Sequence, residues 1–331
     1  STLTFGTGND STFKSVIKGV GGKVVKQGTG TWFVSNQNTY SGGTAVENGT
    51  VAIIDNPAAQ LGTGSVTMKD GTTLKWGVVN TLNNDFILNT VANNAVGITL
   101  DGTTTNGGLA GVISGPGKLV VTGEIRLGST TQSSPNTYSG GTYITPNSTV
   151  AIFKNGALGT GTSTFGNNTT LSWGADGTLS NPFTLNGTVM MESGGYLGTI
   201  NGPINGGGKL IANGEFSLNG QNSFTGGLEL NNYTSVFFST DTALGDGSVT
   251  MADSTFLYWG ANTTVGNRFI LNAPTTGPHQ GTTFDTGTFL STLTGVIEGT
   301  NKLLLRGSGT LISKTQNLLT GGIELYDNVT F

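Results

Sequence analysis

The same landmarks return in the same order every 91–95 residues, and that repetition limits the folds open to this chain more than any other feature. Its clearest marker is an Ile-x-Gly segment closed by Lys and an apolar residue. It runs from Ile17 to Val24, Ile113 to Leu119, Ile204 to Leu210 and Ile297 to Leu303. The lysines are Lys23, Lys118, Lys209 and Lys302, each with a glycine five positions on: Gly28, Gly123, Gly214 and Gly307. Asn38 to Gly43 (Asn-Thr-Tyr-Ser-Gly-Gly) returns as Asn136 to Gly141, and more loosely as Asn222 to Gly227 and Asn317 to Gly322. A Leu-Gly-x-Gly turn follows at Leu61, Leu158 and Leu244, then a Trp-Gly pair at Trp76, Trp173 and Trp259. A Phe-x-Leu segment comes next, at Phe86, Phe183 and Phe269. These landmarks divide the chain into a partial repeat 1–16, repeats 17–112, 113–203 and 204–296, and a partial repeat 297–331.

Between the landmarks lie short runs rich in Val, Ile, Leu, Phe and Thr, punctuated by Gly and Asn. Branched and aromatic side chains suit a pleated surface, whereas Gly and Asn tolerate the positive φ of tight corners. In Thr50 to Ile54 and Thr149 to Phe153 the larger apolar groups alternate, so one face of each strand can point inward. The block exceeds one solenoid coil of about 20–30 residues, so about four coils per block are expected. The expectation is therefore an all-β parallel β-helix, a single continuous solenoid over 1–331, with like residues aligned along its axis. No segment reads as a convincing helix. The best candidate, Asn83 to Val96, is better taken as strand and turn because Asn93-Asn94 falls within it and Phe86 matches Phe183. A propeller would make the two halves of a block alike, and they are not; a string of sandwiches would need linkers, and no Pro/Ser-rich stretch occurs.

Composition narrows function. Only 10% of residues are charged, the formal net charge is −4 and glycine accounts for 56 positions. Sparse, scattered Lys and Arg with a pI near 4.9 exclude a nucleic-acid surface, which needs clustered positive charge. No apolar run approaches the ~20 residues of a spanning helix, so no membrane insertion by this segment is expected. Without cysteine there is neither a disulfide nor a thiolate metal site.

The 18 acidic residues form no evident catalytic constellation in the sequence. Glycan lyases and hydrolases need paired carboxylates, or a calcium-binding acidic cluster with a basic partner. Here Asp55, Asp70, Asp85, Asp101, Glu124, Asp176 and Glu192 are scattered. Asp241, Asp246 and Asp253 crowd around the Leu244-Gly245 turn, which reads as a solvated corner with a weak calcium site as the sharper alternative. The Gly-Gly-x-Gly-x-Asp calcium nonapeptide is absent. The single His279 reads as a loop residue, and Gly206 to Gly208 as a turn, since no P-loop Lys-Ser/Thr follows. Trp76, Trp173 and Trp259 read as core or corner packing rather than a sugar-stacking ladder, because four coils at ~4.8 Å each separate them. The lysine series reads as a solvated corner before an anion-binding stripe. Asn48, Asn147, Asn186 and Asn232 begin glycosylation-type Asn-x-Ser/Thr triplets, which Asn- and Thr-rich sequence produces readily. No catalytic, cofactor-binding or metal-ligating residue is assigned, and no cofactor.

The succession Gly28 to Trp32, Asn38 to Thr44, Asn48 to Val51 and Leu61 to Ser65, with its counterparts downstream, resembles the autotransporter-associated β-strand repeat of bacterial passenger domains. That resemblance implies a right-handed parallel β-helix displayed extracellularly after outer-membrane export, in a protein that serves as an adhesin, biofilm factor, toxin or stalk. The expected function is a non-enzymatic structural or adhesive scaffold, with a carbohydrate-active β-helix (polysaccharide lyase or hydrolase) as the alternative. Expected partners are a host or matrix glycan or protein, and other copies of the chain. Both ends fall inside a repeat, so a longer array or end-to-end stacking into filaments is expected.

Overall fold

The computed structural model describes residues 1–90, 96–132, 134–274 and 280–331, in two compact units, Ser1–Thr169 and Thr170–Phe331. Both are all-β, and among the described residues there is no helix. None is therefore long and apolar enough to cross a membrane. Strands are mostly three or four residues long and pair in parallel with strands found 18–28 residues later. Each unit is a parallel β-solenoid whose described strands fall on three walls.

In the first unit one wall stacks Thr2–Phe5, Lys23–Lys26, Thr44–Val46, Val66–Lys69, Phe86–Asn89 and Ile113–Ser114. A second stacks Thr31–Val34, Thr50–Ile53, Thr73–Trp76 and the first half of Ile98–Leu109. The third carries Asn80–Leu82 against Gly107–Leu109, followed by Ile125–Leu127. The long strand Ile98–Leu109 thus serves two walls, bending where its register shifts between Gly102 and Gly107. In the second unit Val189–Ile200 bends the same way between Glu192 and Leu197. The segment Phe86–Asn89 is strand, as expected, while Asn93-Asn94 lies outside the described residues.

Alternation decides what enters the core. Leu74, Trp76, Ile98, Leu100, Leu119 and Val121 are at most 1% exposed, whereas Lys75, Thr99 and Val120 between them sit half-buried. Burying a Leu or Val side chain stabilises by about 1.5–3 kcal/mol, and here every coil contributes several.

One expectation is corrected. Equivalent residues of successive blocks do not align along the axis. In the first unit Val24, Thr44, Val66 and Phe86 form one ladder, but the next block's Leu119, Thr142 and Ser163 stack on the wall of Leu100 and Thr73. The second unit repeats the offset: Leu210, Leu228, Val249, Phe269 and Ile297 share a ladder, while Leu303 pairs with Thr282 on the wall of Phe256. A block therefore closes one wall beyond a whole number of coils. Coil hydrogen bonding depends on strand pairing alone, which is indifferent to which block residue fills each rung.

Candidate functional site

The most specific sequence motif builds a corner. In Asn-Thr-Tyr-Ser-Gly-Gly the Asn side chain is buried and spans three coils. Asn136 accepts from the amide of Ile113, one coil earlier, at 2.9 Å, and donates to the carbonyl of Ala157, one coil later, at 2.6 Å. Asn38 does the same between Ile17 and Gln60 (2.8 and 3.0 Å), and Asn222 between Ile204 and Ala243 (2.8 and 2.5 Å). A planar amide has one acceptor and one donor end, which suits Asn to bridge peptide groups on either side of it.

The aromatic residue of the motif turns inward. Tyr40 and Tyr138 donate to the hydroxyls of Thr44 and Thr142, each at 2.6 Å, and those threonines donate onward to the carbonyls of Leu61 and Leu158. Burial pushes both phenols up, Tyr40 to about 12, against a smaller lowering by the threonine bond. The paired glycines have separate reasons. A Cβ on Gly140 would overlap the backbone of Gly117 in the coil below, and one on Gly42 would lie 2.6 Å from the carbonyl of Gly21. Gly43 and Gly141 adopt φ of +86° and +82°, which side chains disfavour.

The acidic residues are also fasteners. Several carboxylates cap backbone amides of the next coil. Asp70 accepts from Gly97, Asp85 from Val112, Asp176 from Leu197 and Asp241 from Thr264, all at 2.8 Å. Asp253, 5% exposed, takes the amides of Gln280 and Gly281, the Asn301 side chain and the Ser254 hydroxyl. Burial raises its pKa, but these four bonds outweigh burial and hold the carboxyl below its ordinary 3.8. Asp241 and Asp246 do line a shallow groove with Thr242, Thr264 and Asn267, whereas Asp253 is committed to its own corner. Among the described residues no three His, Cys, Asp or Glu side chains gather as metal ligands.

The remaining candidates disperse. Trp76, Trp173 and Trp259 are at most 4% exposed, so they pack the core. Lys209 and Lys302 pair with Glu229 and Glu324 of the next coil, Lys118 lies 5.4 Å from the ring centre of Tyr143, and Lys23 is exposed. Two of the four charges are thus neutralised within the chain, which breaks an anion-binding stripe. Asn48, Asn147, Asn186 and Asn232 are all exposed on turns. Gly206 takes φ +107° in a bend. His279 lies outside the described residues.

Two fasteners escape a sequence reading built on the landmarks. Asn84 and Asn267, two residues before Phe86 and Phe269, are buried and bond the carbonyls of Gly62 and Gly64, and of Gly245 and Gly247. Asn181 recurs at the same place before Phe183, a signal present in the sequence. Lys26 carried no such signal. It is 1% exposed and donates to the carbonyls of Gln27, Gly28 and Asn48, and among the described residues no carboxylate is bonded to it. Burial lowers its pKa, against a smaller rise from Asp10.

The corner that runs from Val24 through Asn38, Tyr40 and Gly43 to the strand Thr50–Ile53 is the region that known families recognise. Residues 24–53 match the passenger-associated-transport-repeat family. No curated protein and no solved structure matches the chain. The passenger-associated-transport-repeat match agrees with the resemblance drawn from the motifs, and it spans one full coil and the first two strands of the next. Within it, Asn38, Tyr40, Gly42, Gly43 and Thr44 serve coil-to-coil bonding.

Proposed function

We propose that this chain is a segment of an exported protein's surface-displayed passenger, and that it works as a non-enzymatic structural or adhesive scaffold. The observation that carries this reading is the use to which the polar residues are put. Asparagines, aspartates, the Tyr-Thr pairs and Lys26 are spent on backbone groups of adjacent coils. A scaffold needs that; a hydrolase or lyase needs carboxylates free to act on substrate. The passenger-repeat match supports location outside the cell, on the surface or in the medium.

Two further features belong to the proposal. The coils continue as one solenoid through 1–331, and solenoid ends, where exposed, associate with those of other copies into filaments. Electron micrographs of the purified chain are expected to show rods that lengthen by ~4.8 Å for each inserted coil. Beads of unchanged length would refute the scaffold. Protease added to intact producing cells is expected to release fragments of the chain, and full protection would contradict display. Calcium-dependent release of unsaturated products from polygalacturonate would establish the lyase instead.

A further inference from the structure

The outer face of the second unit departs from what the fold requires. Phe237 lies between the buried Val236 and Phe238, and Tyr258 between the buried Leu257 and Trp259, so alternation turns both outward. They are register partners on adjacent coils, their rings stacked at 4.5 Å between centroids and 10° between planes. Phe256 lies beside them, its ring 6.0 Å from that of Tyr258 and nearly parallel. Tyr258 pairs in register with Asp285, and Asp285 with Arg306. The Arg306 guanidinium lies 5.0 Å from the ring centre of Tyr326.

The fold does not call for these aromatics. At the matching positions before and beneath Trp76, the first unit carries Thr73, Lys75 and Ala52 and keeps the same parallel pairing. Phe237 is 36% and Tyr326 41% exposed, which leaves apolar ring surface in water without a core to gain. The charges beside them are open as well. Among the described residues no carboxylate forms an ion pair with Arg306, and the one side-chain bond described for Asp285 is to the amide of Gly287. Burial and the nearby Asp285 carboxylate raise the Tyr258 pKa, keeping its hydroxyl a donor.

From this we infer that the Phe237–Tyr258–Asp285–Arg306 column binds a neutral oligosaccharide. An aromatic surface meets the apolar C–H face of a sugar ring. An acceptor carboxylate and a donor guanidinium on adjacent coils, ~4.8 Å apart, meet neighbouring hydroxyls, each of which both donates and accepts. A purely apolar partner would leave Asp285 and Arg306 desolvated and unpaired, and an anionic one would meet Asp285. The inference rests on the scaffold reading above and names the ligand class that such a scaffold would hold.

The test is calorimetric titration of the intact chain with cellohexaose, xylohexaose, mannohexaose and maltohexaose. At least one is expected to bind. Tyr258→Lys and Phe237→Ala, which import residues the fold already accepts in the first unit, are expected to weaken binding at least tenfold while leaving circular dichroism and the melting midpoint near those of the parent. Arg306→Gln is a third, milder variant expected to weaken binding without removing ring surface. Binding of none of the four sugars, or binding indifferent to all three substitutions, overturns the inference. So does self-association in sedimentation that the same substitutions abolish, which would assign the face to a second copy. Shortening of the bound sugar on chromatography would leave the binding face standing and refute the non-enzymatic reading instead.

Discussion

The Tyr138 hydroxyl donates to Thr142 Oγ1 across 2.6 Å in a fully buried corner, and the third block replaces both partners at once, with Phe224 and Leu228. Removing one partner strands the other, whereas removing both trades a satisfied polar pair for an apolar one. Thr142→Val is expected to cost about 1–3 kcal/mol, since the Tyr138 hydroxyl loses its acceptor in the core. The double variant Tyr138→Phe/Thr142→Val is expected to cost less than the losses of Tyr138→Phe and Thr142→Val summed. A double-mutant cycle in urea checks this; simple additivity would contradict the coupling.

The same phenols give the chain an alkaline limit. Burial raises Tyr40 to about 12 and Tyr138 in the same direction, so the folded chain holds their protons when the unfolded chain has released them above 10.0. Fewer protons on the unfolded state means that stability falls with rising pH. The contribution is intact below pH 10 and lost as pH climbs through the folded values. Urea midpoints measured from pH 9 to 12 are expected to fall, and to fall less steeply in Tyr40→Phe.

Asp253 sets the opposite limit. Its folded pKa is depressed below 3.8, so the unfolded state binds the proton first and stability declines as pH drops from about 4 downward. Asp253→Asn is expected to flatten that acid decline while costing about 1–3 kcal/mol at neutral pH, because an amide cannot accept at both ends. Acid titration followed by far-ultraviolet circular dichroism reads both effects.

Asn136 bonds two coils besides its own, so Asn136→Ala strands the amide of Ile113 and the carbonyl of Ala157 together. The expected loss is about 2–4 kcal/mol, taking 1–3 for each buried group with some relief from water. Hydrogen exchange is expected to quicken at Ile113 and in the strand Thr142–Ile144, and a change confined to the Asn136 turn would contradict the bridging role.

How far these features could be read in advance follows from what repetition records. The strands, the parallel coil and the buried Trp series were legible because alternation and recurrence are properties of the order of residues. The corner motif was legible as a motif, yet its parts acquire reasons only when coils stack: Asn38 needs Ile17 and Gln60, and Gly140 needs Gly117. Asp70, Asp85 and Asp176 read as scattered and Asp253 as part of a solvated corner because each one's partner is an amide 21–28 residues away. Alignment of equivalent residues along the axis was the wrong inference, because a repeat in sequence need not be a whole number of coils. Lys26 could not have been foreseen, since three carbonyls and, among the described residues, no acidic residue bond it.

The pairing of coils can be tested directly because the chain has no cysteine of its own. Thr50 and Thr73 are register partners on neighbouring coils, ~4.8 Å apart across the ladder and within reach of a disulfide. Thr50→Cys/Thr73→Cys is expected to form an intramolecular bond under mild oxidation, while Thr50→Cys/Lys69→Cys, nearer in sequence but unpaired, stays reduced. A reduced first pair, or preferential oxidation of the second, would contradict the parallel solenoid on which every other statement depends.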